Sequence, residues 1–362
     1  MSNIATAWCA WHVLSLTRQG VLVTLVRPRG LLTVAVIAAA GILAGACSSG
    51  NSSAKPGASS TSSSAAAAAK PEKSQITVGT LPIADAADLF IAIHKGYFRS
   101  VGLTVKPEIL QATSQATPGL LSGKLDFSLL NYVSTLEIEQ NGGIKFAYVA
   151  PGTQAAPKVS EILVPKGSKI TSVADLRGKK IGTPQTAGAI GNLAMDATFK
   201  AHGLNPAQVT FVAIPFPDEQ AALARGEVDA VWATEPFVTA TEVAIGARPL
   251  IDTMTGVMAG FLVGGWGTLQ SYARKYPRTV AAFQKAMAEA QQAAAGDLAL
   301  VKQTVPTYTT IKPKIVSSMA FDTFSPALTT ARLQQAADVM LQFHFLHAKL
   351  DVSPMILPQP SG

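Results

Sequence analysis

Side chains able to do covalent chemistry are scarce in this 362-residue chain. Its two cysteines, Cys9 and Cys47, both lie in the first 50 residues, so the remainder has no thiolate nucleophile, disulfide or cysteine metal site. Neither a G-x-S-x-G elbow nor an H-E-x-x-H zinc pair occurs. Gly119-Leu120-Leu121-Ser122-Gly123-Lys124 comes close to a phosphate-binding loop. It is one residue too short between its glycines and continues with Leu125 in place of Ser or Thr. His344 and His347 have i, i+3 spacing but no third ligand beside them in sequence, which reads as a helix end and not as a metal site. What is left is the chemistry of recognition, in short polar loops between apolar runs.

Those loops give the candidate site. Leu81-Pro82-Ile83-Ala84-Asp85 closes a first strand, and Asp85 can either cap the next helix or accept from a ligand donor. In the loop Gln111 to Gln115, one of Thr113 and Ser114 caps a helix while the other faces a cleft. Asn131 follows a short buried strand at the corresponding place. Thr183, Gln185 and Thr186, just before Gly188, can build a backbone anion nest. Glu235 opens a helix, where it can favour the dipole or touch ligand. Trp266, after Gly264-Gly265, can roof a cleft or pack in the core. None of these loops carries Arg or Lys, which favours a neutral or weakly charged organic molecule over nitrate or sulfate.

The elements that must position these loops follow from hydrophobic patterning. Short apolar runs at 76–81, 103–107, 127–130, 144–150, 161–165, 180–183, 209–214 and 230–232 read as strands. Helical segments between them, such as 189–202 and 235–244, give alternating β and α elements and hence open, mostly parallel sheets. The pattern occurs twice. Leu121-Ser122-Gly123-Lys124-Leu125-Asp126-Phe127 parallels Leu223-Ala224-Arg225-Gly226-Glu227-Val228-Asp229-Ala230, each a helix end, a glycine stop, an aspartate and a strand. The tail is helical: apolar residues at 280, 283, 287 and 290 share one face of a helix over 278–292, and 331–347 gives another.

Charge separates the N-terminus from the body. The chain has 29 Lys and Arg against 22 Asp and Glu, but from residue 75 onward the balance is 23 to 21, which leaves no basic stripe for nucleic acid. Arg27 and Arg29 precede Leu31 to Ala46, a charge-free run shorter than the roughly 20 residues a spanning helix needs. Its end, Leu43-Ala44-Gly45-Ala46-Cys47, resembles the lipobox of bacterial lipoproteins, with Leu43 one place further from the cysteine than the strongest pattern has it. The resemblance implies that residues 1–46 are a signal peptide and that Cys47 is acylated, giving a membrane anchor. The Ser/Ala/Pro/Gly-rich stretch 47–74 reads as a tether.

Several stretches add up to a family. Ile91-Ala92-Ile93-His94-Lys95-Gly96-Tyr97-Phe98, Asp175-Leu176-Arg177-Gly178-Lys179-Lys180 and Gly226-Glu227-Val228-Asp229-Ala230-Val231 followed by Glu235-Pro236-Phe237 stand in order between residues 76 and 345. Together they resemble ABC-transporter substrate-binding proteins of the nitrate, sulfonate, bicarbonate and thiamine-precursor group. The resemblance implies an α/β, two-lobed clamshell of the type II periplasmic-binding-protein kind, with two crossover strands. Lobe one would hold 75–160 plus 256–362, and lobe two 161–255. It further implies a monomer that is no enzyme, needs no cofactor, and takes a small solute to permease and ATPase subunits. A lipoprotein sensor is an alternative. So is an enzyme similar to the fungal-type pyrimidine synthases of thiamine biosynthesis, although those carry a cysteine-rich motif and the body here has no cysteine.

Overall fold

The computed structural model describes residues 70–324 and 327–359; Cys47 and the signal-like segment lie outside them. In chain order the elements are β1 (Gln75–Thr80), α1 (Ala87–Lys95), α2 (Tyr97–Ser100), β2 (Thr104–Ile109), α3 (Ala116–Leu121), β3 (Phe127–Asn131), α4 (Tyr132–Gln140) and β4 (Phe146–Gln154). There follow β5 (Ser160–Val164), β6 (Lys180–Thr183), α5 (Ile190–Ala201), β7 (Thr210–Ala213), α6 (Phe216–Ala224), β8 (Ala230–Thr234), α7 (Phe237–Ile245) and β9 (Arg248–Asp252). The chain then runs through β10 (Leu262–Leu269), α8 (Gln270–Lys275), α9 (Pro277–Gly296), α10 (Leu298–Thr304), α11 (Pro313–Ser318), β11 (Thr323–Phe324) and α12 (Thr330–Gln342).

The strands form two sheets, ordered β2-β1-β3-β10-β4-β11 and β7-β6-β8-β5-β9. The duplication in the sequence is therefore a duplication of topology: β1, β2, β3 and β4 correspond to β6, β7, β8 and β9, and β10 to β5. The match extends to hydrogen bonds. Gly123 and Gly226, with φ of 72° and 70°, end α3 and α6 in the left-handed conformation that glycine adopts without cost. Three residues on, the Asp126 carboxylate accepts from the Thr77 N–H at 2.8 Å, and that of Asp229 from the Lys180 N–H at 2.9 Å. Each aspartate also pairs with a lysine beside the first strand of its sheet, Lys73 and Lys179 respectively.

The sheets are mixed, where sequence patterning gave mostly parallel ones. Pairs β1–β2, β1–β3, β6–β7 and β6–β8 are parallel; β10 runs against β3 and β4, β11 against β4, and β5 against β8 and β9. The reason lies in the crossings. A strand that enters a sheet from the other lobe starts at the cleft and runs away from it, and the short β11 runs the same way; the other strands end at the cleft. β5 and β10 are the two entering strands. Periodicity reports burial and not direction, so the sequence pattern could not distinguish them.

The core of the first lobe is aromatic. The α9 residues Val280, Phe283, Met287 and Ala290 are all buried, as their spacing required, and Phe283 stacks on Phe127 with centroids 4.1 Å apart. Glu72 to Ser74 are tied to the fold and do not behave as tether. The Glu72 carboxylate accepts from the backbone of Arg278 and Thr279 at the start of α9, at 3.0 and 2.7 Å, and the Lys73 N–H donates to the Thr279 hydroxyl at 3.0 Å. A carboxylate at a helix N-terminus satisfies N–H groups that the helix leaves free. The helix expected over 331–347 stops at Gln342, because His344 takes a left-handed φ of 64°. Gln140 then holds the turn, accepting from the His347 N–H and donating to the Ala348 carbonyl, both at 2.6 Å. His344 and His347 thus share no helical face, and no group of three metal-binding side chains occurs among the described residues.

Candidate ligand-binding site

Where the two sheets face each other, the carboxyl ends of β1, β2, β3, β6 and β8 surround a cavity of about 720 Å³, open solvent at its mouth included. Strand carboxyl ends are where open α/β sheets bind ligands. Leu81, Ile83 and Asp85 follow β1; Ala112 and Thr113 follow β2; Leu129, Leu130 and Asn131 end β3. From the second sheet come Thr183, Pro184 and Gln185, the start of α5, Phe216, Trp232 and Thr234. Thr153, Ser160, Met254, Val263 and Gly264, at or near the crossings, complete the wall. No lysine or arginine is among these residues, and Asp85 is their one ionisable side chain.

Of the residues singled out in the sequence, Asp85, Thr113, Asn131, Thr183 and Gln185 meet in this cavity. Asp85 does not cap α1. It sits within a 3-10 turn, Ala84–Ala86, that precedes the helix, and is 4% exposed. Neither Thr113 nor Ser114 caps a helix through its side chain, and Gln111 and Ser114 are exposed outside the cavity. Asn131 has two roles: it lines the wall, and its Oδ1 accepts from the Ser134 N–H at the start of α4. Thr186 points to a different place, an outer groove shared with Glu137, Asp196 and Phe343. Glu235 is buried away from the cavity, its carboxyl accepting from the Thr239 N–H and hydroxyl and from the Ala320 N–H. Trp266 is fully buried in the first lobe and donates its indole N–H to Asp88 at 2.8 Å, so it belongs to the core.

Two aromatic wall residues, Phe216 and Trp232, escaped sequence reasoning. The duplication could have found the first, since Phe216 follows β7 as Thr113 follows β2. Trp232 lies inside a fully buried strand, where nothing in the pattern separates a wall residue from a core one. Its indole is fixed from two sides. The N–H donates to the Thr253 hydroxyl at 2.9 Å, and α5 begins directly on the ring, where a Cβ at Gly191 would lie 2.6 Å from an indole carbon.

The lobes touch across the mouth. The Thr113 hydroxyl donates to the Gln185 side-chain carbonyl, and the Ser134 hydroxyl to the Gly188 carbonyl. Near the crossings the Ala84 N–H donates to the Glu235 carbonyl at 3.2 Å. Burial sets the electrostatics. It pushes Asp85 up to about 6, opposed by the adjacent Thr153 hydroxyl, which is not aligned for a full hydrogen bond. The same cause pushes Glu235 up to about 7 against its hydrogen bonds. The cavity offers a carboxyl group, hydroxyls, amides and apolar wall, but no cysteine, histidine or lysine to attack a substrate.

Residues 83–297, more than half of the chain, match the model of the family described as NMT1/THI5 like. The chain belongs to that family. Its fold is also that of a solved alkanesulfonate-binding protein, SsuA from Xanthomonas axonopodis pv. citri bound to MOPS, with a TM-score of 0.66 over 80% of this chain and 99% of that one, at 22% identity. The taurine-binding periplasmic protein of Escherichia coli (strain K12) is 32% identical over 134 residues, 37% of this chain and 40% of that protein. A 4-amino-5-hydroxymethyl-2-methylpyrimidine phosphate synthase of Saccharomyces cerevisiae (strain ATCC 204508 / S288c) is 34% identical over 131 residues, 34% of this chain and 35% of that protein. The matched region thus spans well under half the length of the taurine-binding protein and of the synthase.

Proposed function

We propose that this NMT1/THI5-like chain is an extracytoplasmic solute-binding protein that captures a small organic molecule between its lobes for the permease and ATPase of an ABC importer. The observation that carries the reading is the cavity itself, built by strand ends of both sheets and bridged at its mouth by Thr113 and Gln185. A wall drawn from two lobes couples ligand to closure, because only the closed form makes all the contacts. The periplasmic binding proteins among the relatives support the same reading. Lipid attachment at Cys47 would hold the protein at the membrane; among the described residues no helix is long and apolar enough to cross one. The matched synthase favours an enzyme as the second reading. Against it stands a body without cysteine and a cavity wall without cysteine, histidine or lysine.

A thermal-shift screen separates the two. A bound solute at 100 times its Kd stabilises the folded protein by about 2.7 kcal/mol and is recovered unchanged, whereas an enzyme consumes it. Gln185 and Thr186 refine the test. Gln185→Ala removes a cavity side chain and the bridge to Thr113, so the Kd of any solute found should rise at least about tenfold, the equivalent of one buried hydrogen bond. Thr186→Ala, in the outer groove, should leave it within about twofold. Calorimetry in which Thr186 matters and Gln185 does not would move the ligand out of the cavity and into the outer groove.

A further inference from the structure

We propose that the solute selected by this cavity is a small organic amine, its ammonium or N–H donor held by Asp85 and its apolar part lying against Phe216 and Trp232. The proposal deepens the solute-binding reading and rests on it.

The starting observation is an acceptor without a donor. Asp85 lines the cavity, is 4% exposed and, among the described residues, makes no ion pair and receives no well-aligned hydrogen bond, the nearby Thr153 hydroxyl included. The titratable groups facing it are acidic, and none of them is basic. Asp88 on α1 and Asp322 before β11 raise or feel its field, as does Tyr308 after α10. Each of these neighbours is occupied elsewhere. Asp88 accepts from Leu89, Trp266 and Gln291, Asp322 accepts from the Ala156 N–H at 2.9 Å, and the Tyr308 hydroxyl donates to the carbonyls of Ile83 and Ala84. None of the three aspartates pairs with a base among the described residues. A buried carboxyl left in this state is costly, and a donor from the ligand relieves the cost.

The opposite wall fits the rest of such a molecule. Phe216 and Trp232 present rings, and aromatic faces attract cations as well as apolar groups. One feature favours an anion instead: the start of α5 lies in the wall, where helix amides carry partial positive charge. The Ala189 N–H there already donates to the Asn192 side chain at 3.2 Å, which takes up part of that capacity. An acidic group on the ligand can sit at this end, as in a zwitterion, but a pure oxyanion would leave Asp85 unanswered and repelling it.

The test is a calorimetric panel on the wild-type protein and on Asp85→Asn. The probes are taurine against ethanesulfonate, 2-phenylethylamine against 3-phenylpropionate, and a thermal-shift library of amines, neutral compounds and oxyanions. The expected result is that amines bind, their amine-free counterparts bind at least about tenfold more weakly, and Asp85→Asn erases the difference. For wild type the Kd of an amine should rise roughly tenfold from pH 7 to pH 5, because protonating Asp85 removes the acceptor charge; this readout needs no variant and stands if Asp85→Asn folds poorly. Binding of an oxyanion that tightens as the pH falls overturns the proposal and leaves the solute-binding reading intact. So does an amine whose affinity ignores both Asp85→Asn and pH. Stabilisation by no class of compound counts against solute binding itself, and this proposal falls with it.

Discussion

Asp88→Ala is expected to cost about 2–4 kcal/mol of stability, because each buried donor left without its acceptor costs about 1–3 kcal/mol. Asp88 is fully buried. Its Oδ1 accepts from the Leu89 N–H at 2.8 Å, and its Oδ2 accepts from the Trp266 indole at 2.8 Å and from the Gln291 amide. One carboxyl group therefore ties α1 to β10 and α9, and Gln291 extends the tie to β4 through the Pro151 carbonyl at 3.1 Å. Alanine would strand an indole N–H and an amide in a dry interior. At about 2–4 °C per kcal/mol for a body of this size, the melting temperature should fall by about 10 °C. Asp88→Asn keeps one oxygen but turns an NH2 group toward donors, so its loss should be intermediate. A melting temperature within about 2 °C of wild type for the alanine variant would mean that the network contributes nothing net.

How legible was this molecule in its sequence? The doubled helix-end, glycine and aspartate motif foretold the two sheets, because each residue in it has a local job. Glycine stops a helix in a left-handed turn, and the aspartate reaches back to the first strand. Loops after strands gave five of the wall residues for the same reason, since strand direction places them at one edge. Two kinds of information were missing. Antiparallel entry of β5 and β10 depends on which lobe the chain is leaving, a property of the whole path. Side-chain commitments were also invisible: Glu235 and Trp266 have the chemistry of site residues, but Thr239, Ala320 and Asp88 already satisfy them. A polar residue is available to a ligand only when the fold has not supplied its partner, and that accounting needs coordinates. Asp85 passes it, Glu235 does not, and the sequence ranked neither above the other.

Buried carboxyl groups also make the stability depend on pH. Burial raises Asp85 to about 6 and Asp88 to about 7, and raises Asp322 and the fully buried Glu219 well above the usual range. Burial also raises Glu161 to about 7, reinforced by Glu242, Asp252 and Glu235, and Glu235 itself to about 7. A carboxyl group whose folded pKa exceeds its unfolded value favours the fold fully below the unfolded value, here 3.8 to 4.5. It loses that contribution as the pH rises through the folded value, here about 6 to 7. Glu72 acts in the opposite sense: burial is outweighed by hydrogen bonds from Arg278 and Thr279, its pKa drops to about 2, and it supports the fold until strong acid. The protein should therefore be most stable near pH 5 and melt at least about 5 °C lower at pH 8, a difference of a few kcal/mol at this size. Glu219 isolates one contribution. Both of its oxygens are buried without a partner among the described residues, so Glu219→Met, similar in volume, should raise the melting temperature at pH 8 and flatten the decline from pH 5. Scanning calorimetry at half-unit steps decides the matter. A melting temperature that climbs from pH 5 to pH 8 would require these carboxyl groups to ionise inside the fold at no cost, which their burial forbids.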